Sequence, residues 1–237
     1  EDNPEILRPL IFRLTHQANG RRKSTLLSFF DCAGEDWESR SESFRGEAQY
    51  MTQASGLLFL VDPLRIEAVA SDSRLTLTHK ELSARPANYA DDIRHLGSFF
   101  ELKGRKLPSK VPLAVCLNKL DRWGPLMPPG TLLSEVATSV PGASPLPSNL
   151  DENVHEEVKA AIERWTGESF SRQLELKFPN HRFFAVSSLG DAAQTDEETP
   201  LALPTPLLVD RPILWLLKQQ GVLVEDKSTA RRAKTSS

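Results

Sequence analysis

Apolar and polar positions alternate at the start of the chain and then give way to longer apolar runs. In "PLIFRLTH", Pro9 to His16, the side chains of Leu10, Phe12 and Leu14 fall on one face and those of Ile11, Arg13 and Thr15 on the other. Period two over this length predicts a half-buried strand. A second run, Thr25 to Asp31, follows Asn19-Gly20, and the pair predicts an antiparallel hairpin with a loop longer than the tightest kind. Phe44, Ala48, Met51 and Ser55 recur at spacings of three or four, which predicts a helix from about Ser41 to Ala54, ended by Gly56.

Three later segments are continuously apolar: "GLLFLVD" over 56–62, "VPLAVCLNKLD" over 111–121 and "HRFFAVSSLG" over 181–190. Each has the form of a strand covered on both faces in a parallel sheet, and each ends in polar residues. Helical stripes lie between and after them. Tyr89, Ile93, Leu96 and Phe100 make one, Val154, Val158, Ala161, Ile162 and Trp165 another, and Ile213, Leu214 and Leu217 a last one stopped by Gly221. Strands alternating with helices predict an α/β fold with an open sheet. The stretches 63–110 and 124–150 are long for simple crossovers, the second rich in proline and glycine, and both are expected to be surface inserts.

Length and composition narrow the class. The chain has 237 residues, 39% hydrophobic and 26% charged, which suits one large domain over 1–225 followed by a basic, disordered tail over 226–237. No apolar run reaches the roughly 20 residues that span a bilayer. A net charge of −3 supplies no field to hold a polyanion, so no nucleic-acid partner is expected. Cys32 and Cys116 sit in apolar runs, as buried thiols do, which points to a reducing, cytoplasmic setting. The chain begins at Glu1 without a methionine, so an earlier part of the protein is expected upstream.

Ligands of an open parallel sheet collect beyond the carboxyl ends of its strands, so the polar groups there are the candidates. Asp31-Cys32-Ala33-Gly34 offers a carboxylate that can hold magnesium through water, and a glycine whose amide can approach a phosphate closely. The same four residues are also ordinary turn chemistry. Asn118-Lys119-Leu120-Asp121 is sharper. An aspartate can accept from both the ring N–H and the exocyclic amino group of guanine, a donor pair that adenine does not offer there. The asparagine amide can tie neighbouring loops together, and the lysine stem can lie across the ring. Ser187-Ser188-Leu189-Gly190 alone is a serine-rich turn.

Taken together and in this order, the three segments resemble the motifs of the P-loop GTPases. Asp31 to Gly34 is similar to the family's Asp-x-x-Gly switch motif, Asn118 to Asp121 to its Asn-Lys-x-Asp guanine motif, and Ser187 to Leu189 to the Ser-Ala-Lys loop that supports the base. Among relatives the bacterial double-GTPase proteins look most similar. The resemblance covers about residues 7–220. It implies a three-layer fold, a mostly parallel sheet with one antiparallel edge hairpin. It implies GTP and GDP as ligands, magnesium on Asp31, and a phosphate contact at Gly34. Base contacts would come from Asn118, Lys119, Asp121, Ser187, Ser188 and Leu189. It also implies a molecular switch that hydrolyses GTP and meets a protein partner or effector.

Two departures qualify what the resemblance implies. Glu35 stands where many members carry a glutamine that orients the attacking water. A carboxylate there accepts hydrogen bonds but donates none, which opposes fast hydrolysis. The phosphate cradle G-x-x-x-x-G-K-[ST] does not occur in the chain. Its nearest imitation, "QANGRRKS" over 17–24, has Gln17 and Arg22 at the glycine positions and is expected to be the hairpin loop. Either the first strand, cradle and first helix lie upstream of Glu1, or the chain is a nucleotide-independent interaction scaffold built on a degenerate GTPase fold. A magnesium phosphohydrolase using Asp31, Glu35 and Asp36 is the third possibility, and it leaves Asn118 to Asp121 without a role.

Overall fold

The computed structural model describes residues 9–18, 21–31, 51, 53–103, 110–138, 149–190 and 203–223. Gly34, Glu35, Cys32, the tail 226–237 and most of the helix expected over 41–54 lie outside them. Two compact units make up the chain, Glu1–Met51 with Leu217–Ser237, and Thr52–Leu216.

In the first unit, β1 (Leu10–Ala18) and β2 (Arg21–Phe29) pair antiparallel, Leu10 opposite Phe29 and Ala18 opposite Arg21. The register sets Leu10, Phe12 and Leu14 on one face with Phe29, Leu27 and Thr25, where Phe12 and Phe29 meet edge to face with ring centroids 5.8 Å apart. The hairpin was expected, but its loop is shorter than the sequence suggested. Lys23 and Ser24 pair with His16 and Thr15 inside the ladder. Both lie within the paired register with their side chains exposed, so polarity there marks solvent and not a turn.

The second unit is mixed α/β around a three-stranded parallel sheet, β3 (Leu57–Val61), β4 (Leu113–Leu117) and β5 (His181–Ala185), paired in that order. Its helices, in chain order, are α1 (Glu67–Ala70), α2 (His79–Ser83), α3 (Tyr89–Lys103), α4 (Leu120–Trp123), α5 (Leu132–Thr138), α6 (Leu150–Thr166) and α7 (Ser169–Lys177), and α8 (Arg211–Gln219) follows β5. Two of the predicted stripes are the buried faces of α3 and α6; of the third, on α8, Leu217 is buried and Ile213 half-buried, while Leu214 is exposed.

Every residue of β4 is buried, as its apolar run requires. On one face, Phe59 and Phe183 meet Phe170 of α7, Tyr89 of α3 packs on Phe59, and His155 of α6 stacks on Phe183. On the other face, Trp215 and Leu216 of α8 pack on Ala114, Cys116, Phe184 and Val186. The expectation that β3 is covered on both faces is not met. Leu58 and Leu60 are 40% and 62% exposed, because β3 is an edge strand among the described residues and α8 covers the β4 and β5 half.

The inserts are more than surface decoration. Leu64, Ile66 and Val69 of the first are buried. The second holds α5, whose first N–H groups, on Leu132 and Leu133, donate to Glu157 of α6 at 2.9 Å each. A carboxylate 25 and 24 residues away in sequence thereby caps a helix that proline and glycine content had hidden. The helix α7 was also unforeseen. It buries Phe170 and Leu174, a stripe too short to stand out against its polar neighbours. Cys116 is buried, and burial pushes its thiol up to about 12. Among the described residues no helix is long and apolar enough to cross a membrane.

Candidate functional site

The carboxyl ends of the three parallel strands bring Asp62, Asn118 and Ser187 to one edge, the first two directly after their strands and Ser187 one residue further on. Backbone bonds stitch that edge together: Asn118 N–H donates to Val61 O at 2.8 Å, Val186 N–H to Leu117 O at 2.9 Å, and Leu120 N–H to Val186 O at 3.0 Å. The last of these ties the loop after β4 to the loop after β5.

Lys119 turns the chain from β4 into α4. Its backbone is left-handed, φ 59° and ψ 40°, a conformation that costs a side chain roughly 1–2 kcal/mol. Neighbouring bonds hold it. Lys119 N–H donates to Asn118 Oδ1 at 2.8 Å, and the indole N–H of Trp123 donates to Asn118 O at 2.7 Å. Trp123 is fully buried and meets Trp165 edge to face at 5.6 Å, so the short helix α4 is anchored in the core. Strain held in place by its surroundings is a feature of binding sites.

Asp121 is buried beneath this turn. Its Oδ1 accepts a hydrogen bond from the hydroxyl of Ser187, also buried, and Ser187 Oγ accepts from Gly190 N–H at 3.0 Å. Ser187 further pairs with Leu207 through both backbone groups, at 3.0 and 2.8 Å. Gly190 is left-handed at φ +58°, and a Cβ there would stand 2.5 Å from the carbonyl oxygen of Thr205. Ser188 and Leu189 face solvent. One acceptor position of the Asp121 carboxylate is therefore taken by a serine hydroxyl within the fold.

The ammonium of Lys119 lies between two carboxylates, 3.0 Å from Asp62 Oδ2 and 3.3 Å from Glu81 Oε1. Glu81 comes from α2 in the first insert and also meets Arg122, Oε2 to NH2 at 3.2 Å. Burial works against the charged form of Glu81. The N–H of Thr78 and the charges of Arg122 and Lys119 outweigh it and hold the carboxyl below its ordinary value. Asp62 is fixed in turn by Tyr89, whose hydroxyl accepts from Asp62 N–H at 2.9 Å and donates to Asp62 O at 3.1 Å. Burial pushes the Tyr89 phenol up to about 12. A recess of about 260 Å³ beside these groups is lined by Asp62, Leu64, Arg65, Thr78, Glu81 and Lys119, among others.

Of the residues predicted from sequence, the fold gathers Asn118, Lys119, Asp121 and Ser187, with Ser188 and Leu189 on the adjoining turn. Asp31 belongs to the other compact unit, where it follows β2 and is exposed. Among the described residues no group of three or more His, Cys, Asp or Glu could hold a metal ion. A single carboxylate completed by water and phosphate oxygens is nonetheless a donor set that magnesium accepts, and Asp31 has that form. Sequence reasoning missed Asp62, Glu81 and Arg122. The available signal was Thr78-x-x-Glu81, the pattern of a capping box, which places a helix start and a carboxylate within the insert.

Compared with known proteins, the chain matches no family model and none of the curated sequences.

Proposed function

We propose that this chain is part of a guanine-nucleotide-binding switch of the P-loop GTPase kind, hydrolysing GTP to GDP with magnesium. The Ser187–Asp121 hydrogen bond carries this reading. It joins two motifs 66 residues apart at the carboxyl ends of neighbouring parallel strands, the edge where open α/β sheets receive ligands. In this reading Asp121 accepts from the guanine edge, Ser187 holds it in place, the stem of Lys119 lies across the ring, and Asn118 braces the turn. Ser188 and Leu189 border the base.

Asp31 would hold magnesium through water. The ion, when bound, neutralises charge on the β- and γ-phosphate oxygens. The Gly34 amide would meet the terminal phosphate and Glu35 the attacking water. Because Glu35 accepts without donating, hydrolysis is slow unless a partner completes the site. The phosphate cradle is not among residues 1–237, so the reading requires one elsewhere in the intact protein. Strand β3 supports this requirement: its outer edge has no neighbour among the described residues, and its exposed Leu58 and Leu60 are what a further strand and helix would cover.

Titration of fluorescent GDP and ADP into the intact, magnesium-loaded protein tests the proposal. Guanine is expected to be preferred, and Asp121→Asn is expected to shift the preference toward xanthine, whose 2-oxo group accepts from the new amide where guanine donated. Equal affinity for GDP and ADP would sink the guanine assignment. Absence of all nucleotide binding would favour the interaction scaffold.

A further inference from the structure

The first insert reaches the turn at Lys119 through the Glu81 side chain and the Thr76 carbonyl. Thr78 caps α2 with a reciprocal box: Glu81 N–H donates to Thr78 Oγ1 at 3.3 Å and Thr78 N–H donates to Glu81 Oε2 at 2.9 Å. The box fixes the Glu81 carboxylate at the first turn of the helix, and the same carboxylate spans Lys119 and Arg122, 38 and 41 residues away. Arg122 NH2 also donates to Thr76 O at 2.6 Å, so the segment before α2 is clamped to the same turn. The Glu81 side chain is 13% exposed, which limits screening of its charges by salt. Asp62, at the end of β3, closes the other side of the ammonium.

We propose that Glu81 is a positioning residue for nucleotide recognition: with Asp62 it holds the Lys119 ammonium so that the stem is presented to the purine face, and the insert 63–110 is thereby part of the base site. The proposal rests on the guanine reading of that site. Lys119 needs such support on physical grounds. A lysine has four rotatable bonds and loses up to about 2 kcal/mol of rotamer entropy when ordered, and its backbone is already in a strained region. Two carboxylates that order the chain beforehand remove that cost from the binding step.

Glu81→Gln separates the roles, because glutamine still completes the capping box while its neutral amide no longer pairs with the ammonium. In the intact protein, affinity for fluorescent GDP is expected to fall roughly two- to fivefold, the range of a partly screened ion pair. Glu81→Asp, which keeps the charge on a shorter arm, is expected to restore part of the loss. In a Lys119→Met background the Glu81→Gln effect on GDP affinity is expected to vanish, since coupled residues are non-additive. A wild-type protein that prefers GDP to ADP, with either no loss in Glu81→Gln or an undiminished loss in the Lys119→Met background, overturns this inference and leaves the guanine reading intact. A wild-type protein without guanine preference overturns both.

Discussion

The hydroxyl of Ser187 donates to Oδ1 of Asp121, and the two side chains are both buried. Removing the hydroxyl leaves a carboxylate oxygen without its donor and Gly190 N–H without its acceptor. Ser187→Ala is expected to lower unfolding stability by about 1–3 kcal/mol, the cost of an unmet buried polar group. Urea denaturation measures it. If the proposed guanine site is correct, guanine affinity is expected to fall with it, because Asp121 loses the group that orients it.

Gly190 permits the turn that carries Ser187. At φ +58°, and with the Thr205 carbonyl oxygen 2.5 Å from where a Cβ would stand, any side chain meets both backbone strain and a backbone neighbour that is itself bonded, through its N–H, to Leu189 O at 3.1 Å. Gly190→Ala is expected to cost about 2 kcal/mol or more from the left-handed backbone and the contact together. A lowered thermal midpoint in differential scanning calorimetry checks this; an unchanged midpoint contradicts it.

Tyr89 and Asp62 exchange two hydrogen bonds through one hydroxyl. Tyr89→Phe keeps the ring in its cluster with Phe59 and Phe170 and deletes only that hydroxyl, at an expected cost of about 1 kcal/mol per bond lost. The midpoint of urea unfolding reports it. Because Asp62 also holds Lys119, the proposed nucleotide site predicts a drop in nucleotide affinity while the far-ultraviolet circular dichroism spectrum stays the same.

His155 accepts the Phe183 N–H at its Nδ1, 3.1 Å away, which requires a neutral ring. Burial, reinforced by the Arg182 charge, lowers the His155 pKa below its ordinary value of 6.5, and burial lowers that of His181 as well. The unfolded chain therefore binds more protons than the folded one. Stability is full above about pH 6.5 and declines as pH falls through that value. His155→Asn, whose amide oxygen can accept the same bond, is expected to flatten part of the decline between pH 7.5 and 5.5 in thermal melts. An equally steep decline in that variant would exclude His155 as a source.

The three parallel strands, the stripes of α3 and α6, and the positions of Asn118, Asp121 and Ser187 near strand ends were all legible in the sequence. The reason is local: a face that is buried must be apolar at its own period, and the chain must turn polar where a strand leaves the core. The capped helix α5 was not legible, because its cap, Glu157, lies in another element.

By itself the sequence determined the parallel strands, the helices with long apolar stripes and the residue types that stand at the strand ends. Tertiary structure alone decided that β3 is open on one side among the described residues, that Ser187 rather than solvent takes one oxygen of Asp121, and that Glu81 and Asp62 share the ammonium of Lys119. These contacts join residues far apart in the chain, and no period of two or 3.6 encodes them. They follow from the order in which strands pair and from the path of the insert back to the sheet edge, where opposite charges partly shielded from water find each other.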